Sequence, residues 1–279
     1  MDRRIFDTLP ECGAAPGLWE IYALRYARMP ERRIHENFLR RDMHDGPMPL
    51  DFFVWIARSR DRTVLIDTGY GHRAGAERGR PVDIEPAEAL ARIGLPPERI
   101  EHVILTHLHY DHAGSLDQFP NARIHLQDAE IAYATGRSMC HHIARFPYDV
   151  EDVVHFVRRV YGEQVDFHEG DATLFPGLSL HLLPGHAKGL QGVLVETARG
   201  PVLIASDAAH TYANLTENHP FSLTIDVDAT LNTYRRIREL ARDVDHVIPG
   251  HDALVRAYYP AITVAGIELQ VLHVSPKTP

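Results

Sequence analysis

The sequence predicts an α/β fold in which two sheets face each other and helices cover their outer sides. Two observations support this prediction. Predicted elements follow the order strands, helix, strand, helix, and then strands, helix, strand. Each half of the chain has a run of strands, a helix, and a short strand that ends in a histidine-bearing turn. This order favours paired sheets with helices packed outside them.

The predicted elements of the first half are short and are separated by turn residues. Two of the strands flank a polar turn at 59–62, and a helix begins at Pro86 and ends before Gly94. The long irregular segment 29–49 is typical of a functional lid. In chain order, the predicted elements are strands at 19–26, 51–57 and 63–66, a helix at 86–93, strands at 102–105 and 122–126, and a helix that begins at 128–133.

The second half begins with a helix at 150–161, where valines recur at helical spacing. Residues 165–205 are predicted to form strand after strand, because Gly and Pro turns interrupt apolar runs. An amphipathic helix at 229–241 and a strand at 245–248 follow. No linker or low-complexity tract divides the chain, so we expect a single domain over residues 1–279.

The composition argues against nucleic acid and anionic membranes as partners. Lys and Arg number 29 against 38 Asp and Glu, a formal net charge of -9. Without a basic cluster, the chain is not expected to bind nucleic acid or an anionic membrane. The sequence shows no secretory signal, no apolar run that could span a bilayer, and only two cysteines. We expect a cytoplasmic protein whose oligomeric state is open, with a homodimer as one option.

The most informative stretch of the chain is dense in metal-binding side chains. It follows the apolar run at 103–105 and reads Thr106-His107-Leu108-His109-Tyr110-Asp111-His112-Ala113-Gly114. Imidazole and carboxylate are ligand types that divalent metals accept, zinc above all. Three histidines and an aspartate packed so closely in a core-facing turn would be hard to bury without a cation. The stretch therefore predicts a metalloenzyme.

Three later residues are candidate partners of this stretch. His186, Asp207 and His251 each follow a predicted strand, and loops at strand ends often carry function. Asp67 also follows a strand, and two interpretations of it are open: a turn former, or a carboxylate that orients a ligating histidine. The alternative for the whole set is burial with hydrogen bonds alone, which the cost of burying so many ionisable groups disfavours.

These residues resemble the signature of the metallo-β-lactamase superfamily. Its HxHxDH motif matches residues 107–112, and its downstream His, Asp and His match the three later residues. The resemblance implies a four-layer αβ/βα sandwich, two facing mixed sheets with helices outside, and two divalent metals at its edge. Zinc is the expected ion, although manganese, iron and cobalt also suit such ligands. The resemblance implies that His107, His109 and His186 hold the first metal, that Asp111, His112 and His251 hold the second, and that Asp207 bridges both.

Within the superfamily the chain is most similar to the N-acyl homoserine lactonases, which are quorum-quenching enzymes. The histidine stretch, the Pro-Gly-His turn at 184–186 and residues 207–214 carry this similarity. It implies that a hydroxide bridging the two metals opens a small-molecule lactone or ester. That group commonly has a tyrosine three residues after the bridging aspartate, where this chain has His210, with Tyr212 two positions later. The candidate catalytic residues are Asp111, Asp207, His210 and Tyr212, the last two as hydrogen-bond donors to the substrate.

Other functions are open for the same site. A thioesterase of the glyoxalase II type or a β-lactamase would use similar chemistry. Glyoxalase II proteins usually carry a basic C-terminal region, whereas residues 261–279 contain one Lys and no Arg. A non-catalytic metal-binding scaffold would be expected to lack ligands, and all seven are present. The run Cys140-His141-His142 lacks paired cysteine spacing, so we expect it to line a pocket or lie at the surface.

Overall fold

The computed structural model describes residues 4–40 and 45–277. Over these residues the strands form a nine-stranded sheet and a five-stranded sheet, both with parallel and antiparallel pairs. The strands are β1 (Arg4–Phe6), β2 (Glu20–Met29), β3 (Leu50–Arg58), β4 (Thr63–Ile66), β5 (His102–Ile104), β6 (Arg123–Gln127), β7 (Val165–His168), β8 (Ala172–Phe175), β9 (Leu178–Leu182), β10 (Gln191–Thr197), β11 (Gly200–Ser206), β12 (Val247–Pro249), β13 (Ala261–Val264) and β14 (Ile267–Val271). The order is β1-β13-β14-β2-β3-β4-β5-β6-β7 in the large sheet and β12-β11-β10-β9-β8 in the small sheet.

The two longest helices have side-chain caps at their N-termini. Asp149 accepts a hydrogen bond from the backbone N–H of Glu151, and Asp226 accepts one from that of Ala229. Within the described residues, no helix has the length and apolar character of a membrane span. The helices are α1 (His72–Glu77), α2 (Pro86–Arg92), α3 (Tyr110–Ala113), α4 (Asp128–Ala134), α5 (His142–Arg145), α6 (Val150–Tyr161), α7 (Tyr212–Thr216), α8 (Val227–Leu240) and α9 (Leu254–Tyr258).

Three apolar clusters fill the interfaces between four layers. The first packs one face of the large sheet against α2 and α6, and it contains Leu65 and Phe156. The second lies between the two sheets and contains Trp55 and Val193. The third packs the small sheet against α8 and contains Ile237. The predicted αβ/βα sandwich of two facing mixed sheets is therefore confirmed.

The predicted elements have counterparts close to their expected bounds, but the division into two similar halves is only partly correct. β1, β13 and β14 were not predicted, and all three extend the large sheet. β13 and β14 form a hairpin, and β14 pairs with β2, more than 200 residues away in the chain. β7 also belongs to the large sheet, whereas the sequence pattern grouped it with the second half. Pairings between such distant segments leave no local signal in the sequence.

Parallel strand pairs bring the candidate site residues to one edge. β4 and β5 are parallel, and Asp67 and the histidine stretch follow their carboxyl ends. β11 and β12 are also parallel, and Asp207 and His251 follow their carboxyl ends. Residues 41–44 of the predicted lid lie outside the described residues. Of its described part, Met29 and Arg32 line a cavity at this edge.

Candidate metal centre

Asp67 holds the first histidine loop in place from the end of β4. Its carboxylate accepts hydrogen bonds from the backbone N–H and the hydroxyl of Thr106, at 2.7 and 2.8 Å. It also lies 2.7 Å from Nδ1 of His112. A neutral imidazole that donates through Nδ1 presents an unprotonated Nε2 on its other side. Of the two interpretations of Asp67, the geometry favours the carboxylate that orients a histidine.

Backbone carbonyls orient two further histidines in the same way. Nδ1 of His186 lies 2.6 Å from the carbonyl oxygen of Leu223. Nδ1 of His251 lies 3.0 Å from the carbonyl oxygen of Asp51. Because a carbonyl oxygen only accepts, each Nδ1 must carry the hydrogen, and each neutral ring has a lone pair on Nε2. Both rings are thereby prepared to bind a cation through Nε2.

The two carboxylate oxygens of Asp207 face different histidines. Oδ1 lies 3.0 Å from Nε2 of His251 and 3.3 Å from Nε2 of His112. Oδ2 lies 3.2 Å from Nε2 of His186 and 3.9 Å from Nε2 of His107. Asp207 therefore lies between two groups of histidines, one beside each oxygen.

The remaining ligand candidates complete these two groups. His109 joins the first, with Nδ1 3.0 Å from Nε2 of His186. Asp111 joins the second, with Oδ2 3.7 Å from Nε2 of His251. In each group the ligand atoms lie within 4.8 Å of one another. The groups made only of predicted ligands are His107, His109 and His186; His107, His112 and Asp207; and Asp111, His112 and His251, and a fourth group joins His186 and Asp207 to His210.

Several polar atoms of Asp207 and the surrounding histidines are buried without a hydrogen-bond partner. Among the described residues, they include Nε2 of His107, Nε2 of His112 and Oδ1 of Asp207. Oδ1 has histidine nitrogens at 3.0–3.3 Å, yet these contacts do not have hydrogen-bond geometry. Buried polar atoms are normally paired, and divalent cations held between these side chains would satisfy all three. The residues present therefore fit divalent metal.

Burial keeps two of the ligand histidines in the form that binds metal. Burial lowers the pKa of His107 well below its usual range, and the neighbouring imidazoles of His112 and His109 lower it further. The pKa of His109 is likewise far below its usual range, through burial and the nearby His186. Both rings are neutral at neutral pH, as metal ligation requires.

Glu130 connects the loop that carries His107 and His109 to the loop that carries His186. This residue was not predicted from the sequence. This fully buried carboxylate accepts hydrogen bonds from the backbone N–H groups of Leu108 and Gly189, at 3.1 and 2.9 Å. It also accepts one from the hydroxyl of Tyr148, at 3.0 Å, and the ring of Tyr148 packs edge-on against His109 at 4.7 Å. A single Glu at the start of a short helix has no sequence signal that would single it out.

The structure separates the two candidate hydrogen-bond donors. His210 lines the cavity, with Nε2 3.0 Å from Oδ2 of Asp207 and its ring stacked on Phe221 at 3.6 Å. Tyr212 begins α7 and packs its ring against Tyr258, 5.6 Å away, in the cluster between the sheets. Because Tyr212 points into this core and does not line the cavity, we remove it from the candidate catalytic residues.

The ligand candidates open into a cavity of about 310 Å³. Phe52, a buried residue of the first apolar cluster, also lines it and packs against His251 at 4.9 Å. Gly250 lies against the proposed bridging carboxylate, where an added Cβ would fall 2.3 Å from Oδ1 of Asp207. The apolar residues of the wall are Met29, Leu50, Phe52, Phe146, Pro147, Phe221 and Leu223.

A second group of histidines lies on the large sheet, outside this cavity. His102, His125 and His168, here called the histidine row, lie on β5, β6 and β7. Nδ1 of His102 is 3.1 Å from Nε2 of His125, and Nδ1 of His125 is 3.3 Å from Nε2 of His168. As predicted, Cys140-His141-His142 lies at the surface, and Cys12 and Cys140 are free cysteines.

Known proteins resemble this chain in sequence. It is 29% identical over 223 residues to an N-acyl homoserine lactonase of a Bacillus species, covering 73% of this chain and 82% of that protein. It is 33% identical over 165 residues to the N-acyl homoserine lactonase AttM of Rhizobium johnstonii, covering 57% of this chain and 61% of that protein.

Solved structures resemble it in fold. A crystal structure of a quorum-quenching N-acyl homoserine lactone lactonase superposes with a TM-score of 0.68 at 24% identity, covering 84% of this chain and 92% of that one. AidC, a dizinc quorum-quenching lactonase, superposes with a TM-score of 0.66 at 17% identity, covering 96% and 99%.

The family model gives the broadest assignment. The model of the metallo-beta-lactamase superfamily matches residues 51–251, a segment that contains all the ligand candidates. With this fold and a His and Asp cluster suited to divalent metal, the protein is a metal-dependent hydrolase. The chain belongs to the metallo-beta-lactamase superfamily.

Proposed function

We propose that the protein is a dinuclear metal-dependent lactonase that opens the ring of a small lactone of the N-acyl homoserine type. One observation carries the dinuclear assignment: the two oxygens of Asp207 face separate groups of histidines. The substrate class is supported by the N-acyl homoserine lactonases among its relatives.

Each ligand candidate has a role in this proposal. His107, His109 and His186 would hold one ion, Asp111, His112 and His251 the other, and Asp207 would bridge them. We expect both ions to be zinc. When such a pair of ions is bound, it supplies a hydroxide nucleophile at neutral pH and polarises the substrate carbonyl. Asp67, Leu223 and Asp51 fix the directions of the ligand rings through Nδ1.

His210 and the apolar wall would act on the substrate. Nε2 of His210 lies 3.0 Å from Oδ2 of Asp207, so His210 would donate a hydrogen bond to the leaving ring oxygen of a lactone bound beside that carboxylate. Burial lowers its pKa to about 3, so the ring is neutral at neutral pH and retains one N–H. Phe52, Phe146 and Phe221 would exclude water and accept the acyl chain.

A substrate panel with zinc-loaded protein tests this function. The panel contains acyl homoserine lactones of several chain lengths, a larger-ring lactone, a thioester and a β-lactam, and proton release is measured. We expect the five-membered lactones to have the highest kcat/KM. Faster turnover of the thioester or the β-lactam would overturn the substrate class, and no turnover of any compound would overturn the enzymatic assignment.

The stoichiometry of bound metal tests the dinuclear site separately. We expect elemental analysis to find two ions per chain, and one ion in an Asp111→Ala variant. A single ion in the parent protein would contradict the bridging role of Asp207, even if lactones were hydrolysed.

A further inference from the structure

Two arginines share the wall of the metal cavity with its apolar side chains. Arg32 follows β2 and Arg80 follows α1. The other ionisable residues that line the described part of the cavity are histidines, Tyr110 and the proposed ligands Asp111 and Asp207. The two arginines are therefore the basic residues of this wall that are not candidate ligands or neighbours of them in the histidine groups. We propose that Arg80 and Arg32 bind a carboxylate carried by the substrate, so that the preferred substrate is an acidic lactone. This inference rests on the proposed function.

Among the residues that the structure describes, no carboxylate contacts the guanidinium of Arg80 directly. Its guanidinium donates a hydrogen bond to the hydroxyl of Tyr110, and no carboxylate oxygen of the described residues lies within 4.0 Å of it. Burial opposes its charge, but Tyr110 and Asp111 outweigh burial and raise its pKa, so it stays protonated. A charged, half-buried guanidinium with unused donors on a cavity wall is suited to bind an anion.

Arg32 brings a second positive charge to the same wall. Its side chain is 15% exposed, and its guanidinium lies 5.6 Å from the centre of the Phe221 ring. Nε donates to the side chain of Asn37, Nη2 donates to the backbone of Glu36, and Nη1 forms a long ion pair with the half-exposed carboxylate of Glu36, at 3.8 Å. Burial lowers its pKa, and repulsion from Arg80 adds to the decrease, although Glu36 opposes it. Both guanidinium groups line the same cavity and carry the same charge, so they repel each other.

This repulsion distinguishes an anionic ligand from a neutral one. A carboxylate between two guanidinium groups would remove their mutual repulsion and form charge-assisted hydrogen bonds, whereas a neutral amide would leave the repulsion in place. Two divalent ions would outweigh the charge of Asp111 and Asp207, so the occupied cavity would be positive even without the arginines. Both effects favour an acidic substrate.

The apolar walls define the rest of this substrate. Phe52, Phe146 and Phe221 offer no hydrogen-bond donor or acceptor in their side chains, so they favour the hydrocarbon or ring surface of a substrate. The substrate class is therefore a lactone whose apolar side chain ends in a carboxylate.

The test compares two lactones of which one carries a negative charge and the other is its neutral ester. One is a homoserine lactone with an acyl chain that ends in a carboxylate, and the other is its methyl ester at that end. With zinc-loaded protein we expect kcat/KM for the carboxylate to be about tenfold higher, through a lower KM, as one charge-assisted contact would give. The preference should decrease as salt is added, because the charges are partly exposed.

Variants assign the preference to the two residues. Arg80→Gln and Arg32→Gln should each reduce the ratio between the two lactones towards one, because kcat/KM falls more for the carboxylate than for the methyl ester, while zinc content is retained. Arg80→Lys should restore part of the ratio. Arg92→Gln, the same change on the exposed face of α2, should leave the ratio unchanged.

Several results would overturn the inference. If the parent protein opens both lactones equally well, or prefers the ester, the arginines do not select an acidic substrate. If Arg80→Gln slows both lactones by the same factor, Arg80 acts only through Tyr110. If that variant weakens inhibition by the opened hydroxy acid without changing the ratio, the arginine binds the product carboxylate instead. Absence of all lactone turnover would instead overturn the proposed function.

Discussion

The ligand histidines of the cavity and the histidine row differ in how their ring nitrogens are bonded. In the row, His125 uses both nitrogens to contact its neighbours, and the carboxylate of Asp166 is 3.9 Å away. In the cavity, Nε2 of His107 and Nε2 of His112 are buried without a hydrogen-bond partner. Buried imidazoles that satisfy each other need no cation, whereas orphaned nitrogens that converge on a carboxylate do. The bonding state of the nitrogens, rather than the number of histidines, therefore indicates the metal site.

The largest difference in activity and zinc content is expected between a variant of a cavity histidine and a variant of a histidine in the row. We expect His109→Ala to abolish hydrolysis and lower zinc content, because loss of a ligand should exceed the roughly 10–100-fold effect of losing a ligand's supporting partner. The control is His168→Ala, which removes a histidine of the row and should retain zinc and activity. Both are measured by elemental analysis and lactone hydrolysis. Full activity of the His109 variant would refute its assignment as a ligand.

A change in Asp67, which supports the ligand candidate His112, should lower zinc affinity by less than the loss of a ligand. Asp67→Asn keeps the shape of the side chain but weakens its hold on His112, so we expect zinc affinity to fall by roughly 10–100-fold. The fold should be retained, because Asp67 has a backbone φ of 61°, a left-handed conformation that Asn tolerates. Competition with a chelator measures the affinity. An unchanged affinity would restrict Asp67 to the role of a turn former.

The histidine row should affect stability rather than metal binding. Burial, with the neighbouring His102 and His168, lowers the pKa of His125 to about 4. Between pH 6.5 and 4 the unfolded chain therefore binds the proton more readily. The stabilisation is complete above about pH 6.5 and is lost as pH falls towards 4, by up to about 3 kcal/mol.

His125→Gln tests this pH dependence. Urea unfolding of the parent and the variant across this pH range should show a shallower pH dependence in the variant. Equal slopes would contradict the prediction. Effects of acid on the metal site are common to both proteins and cancel in the comparison.

His210 lies in the cavity but is not a predicted ligand. A variant of this residue therefore tests whether a cavity histidine can affect turnover without affecting zinc binding. We expect His210→Ala to lower turnover by about tenfold, through loss of one hydrogen bond in the transition state, while zinc content is retained. Steady-state kinetics and elemental analysis on the same preparation separate the two effects. An equal loss of zinc would make His210 a ligand, and an unchanged rate would remove it from the mechanism.

The sequence predicted the residues that meet at the strand ends because they follow apolar strands directly. It could not separate His210 from Tyr212, which are two positions apart. The direction of each ring depends on where α7 begins and on the packing of Tyr212 against Tyr258. Glu130 and Arg80 were not predicted for a related reason. Their roles depend on contacts with distant loops, and a charged residue in a helix or after one is usually a solvated surface residue.

The close approach of Gly250 to Asp207 limits how this enzyme can change. A side chain at position 250 would displace the carboxylate between the two ligand groups, so this glycine should be invariant among active variants in a mutational library. Position 80, by contrast, contacts the wall of the cavity and no ligand ring. New substrate preferences should therefore be accessible by mutation there, without disturbing the parts of the backbone that hold the metal.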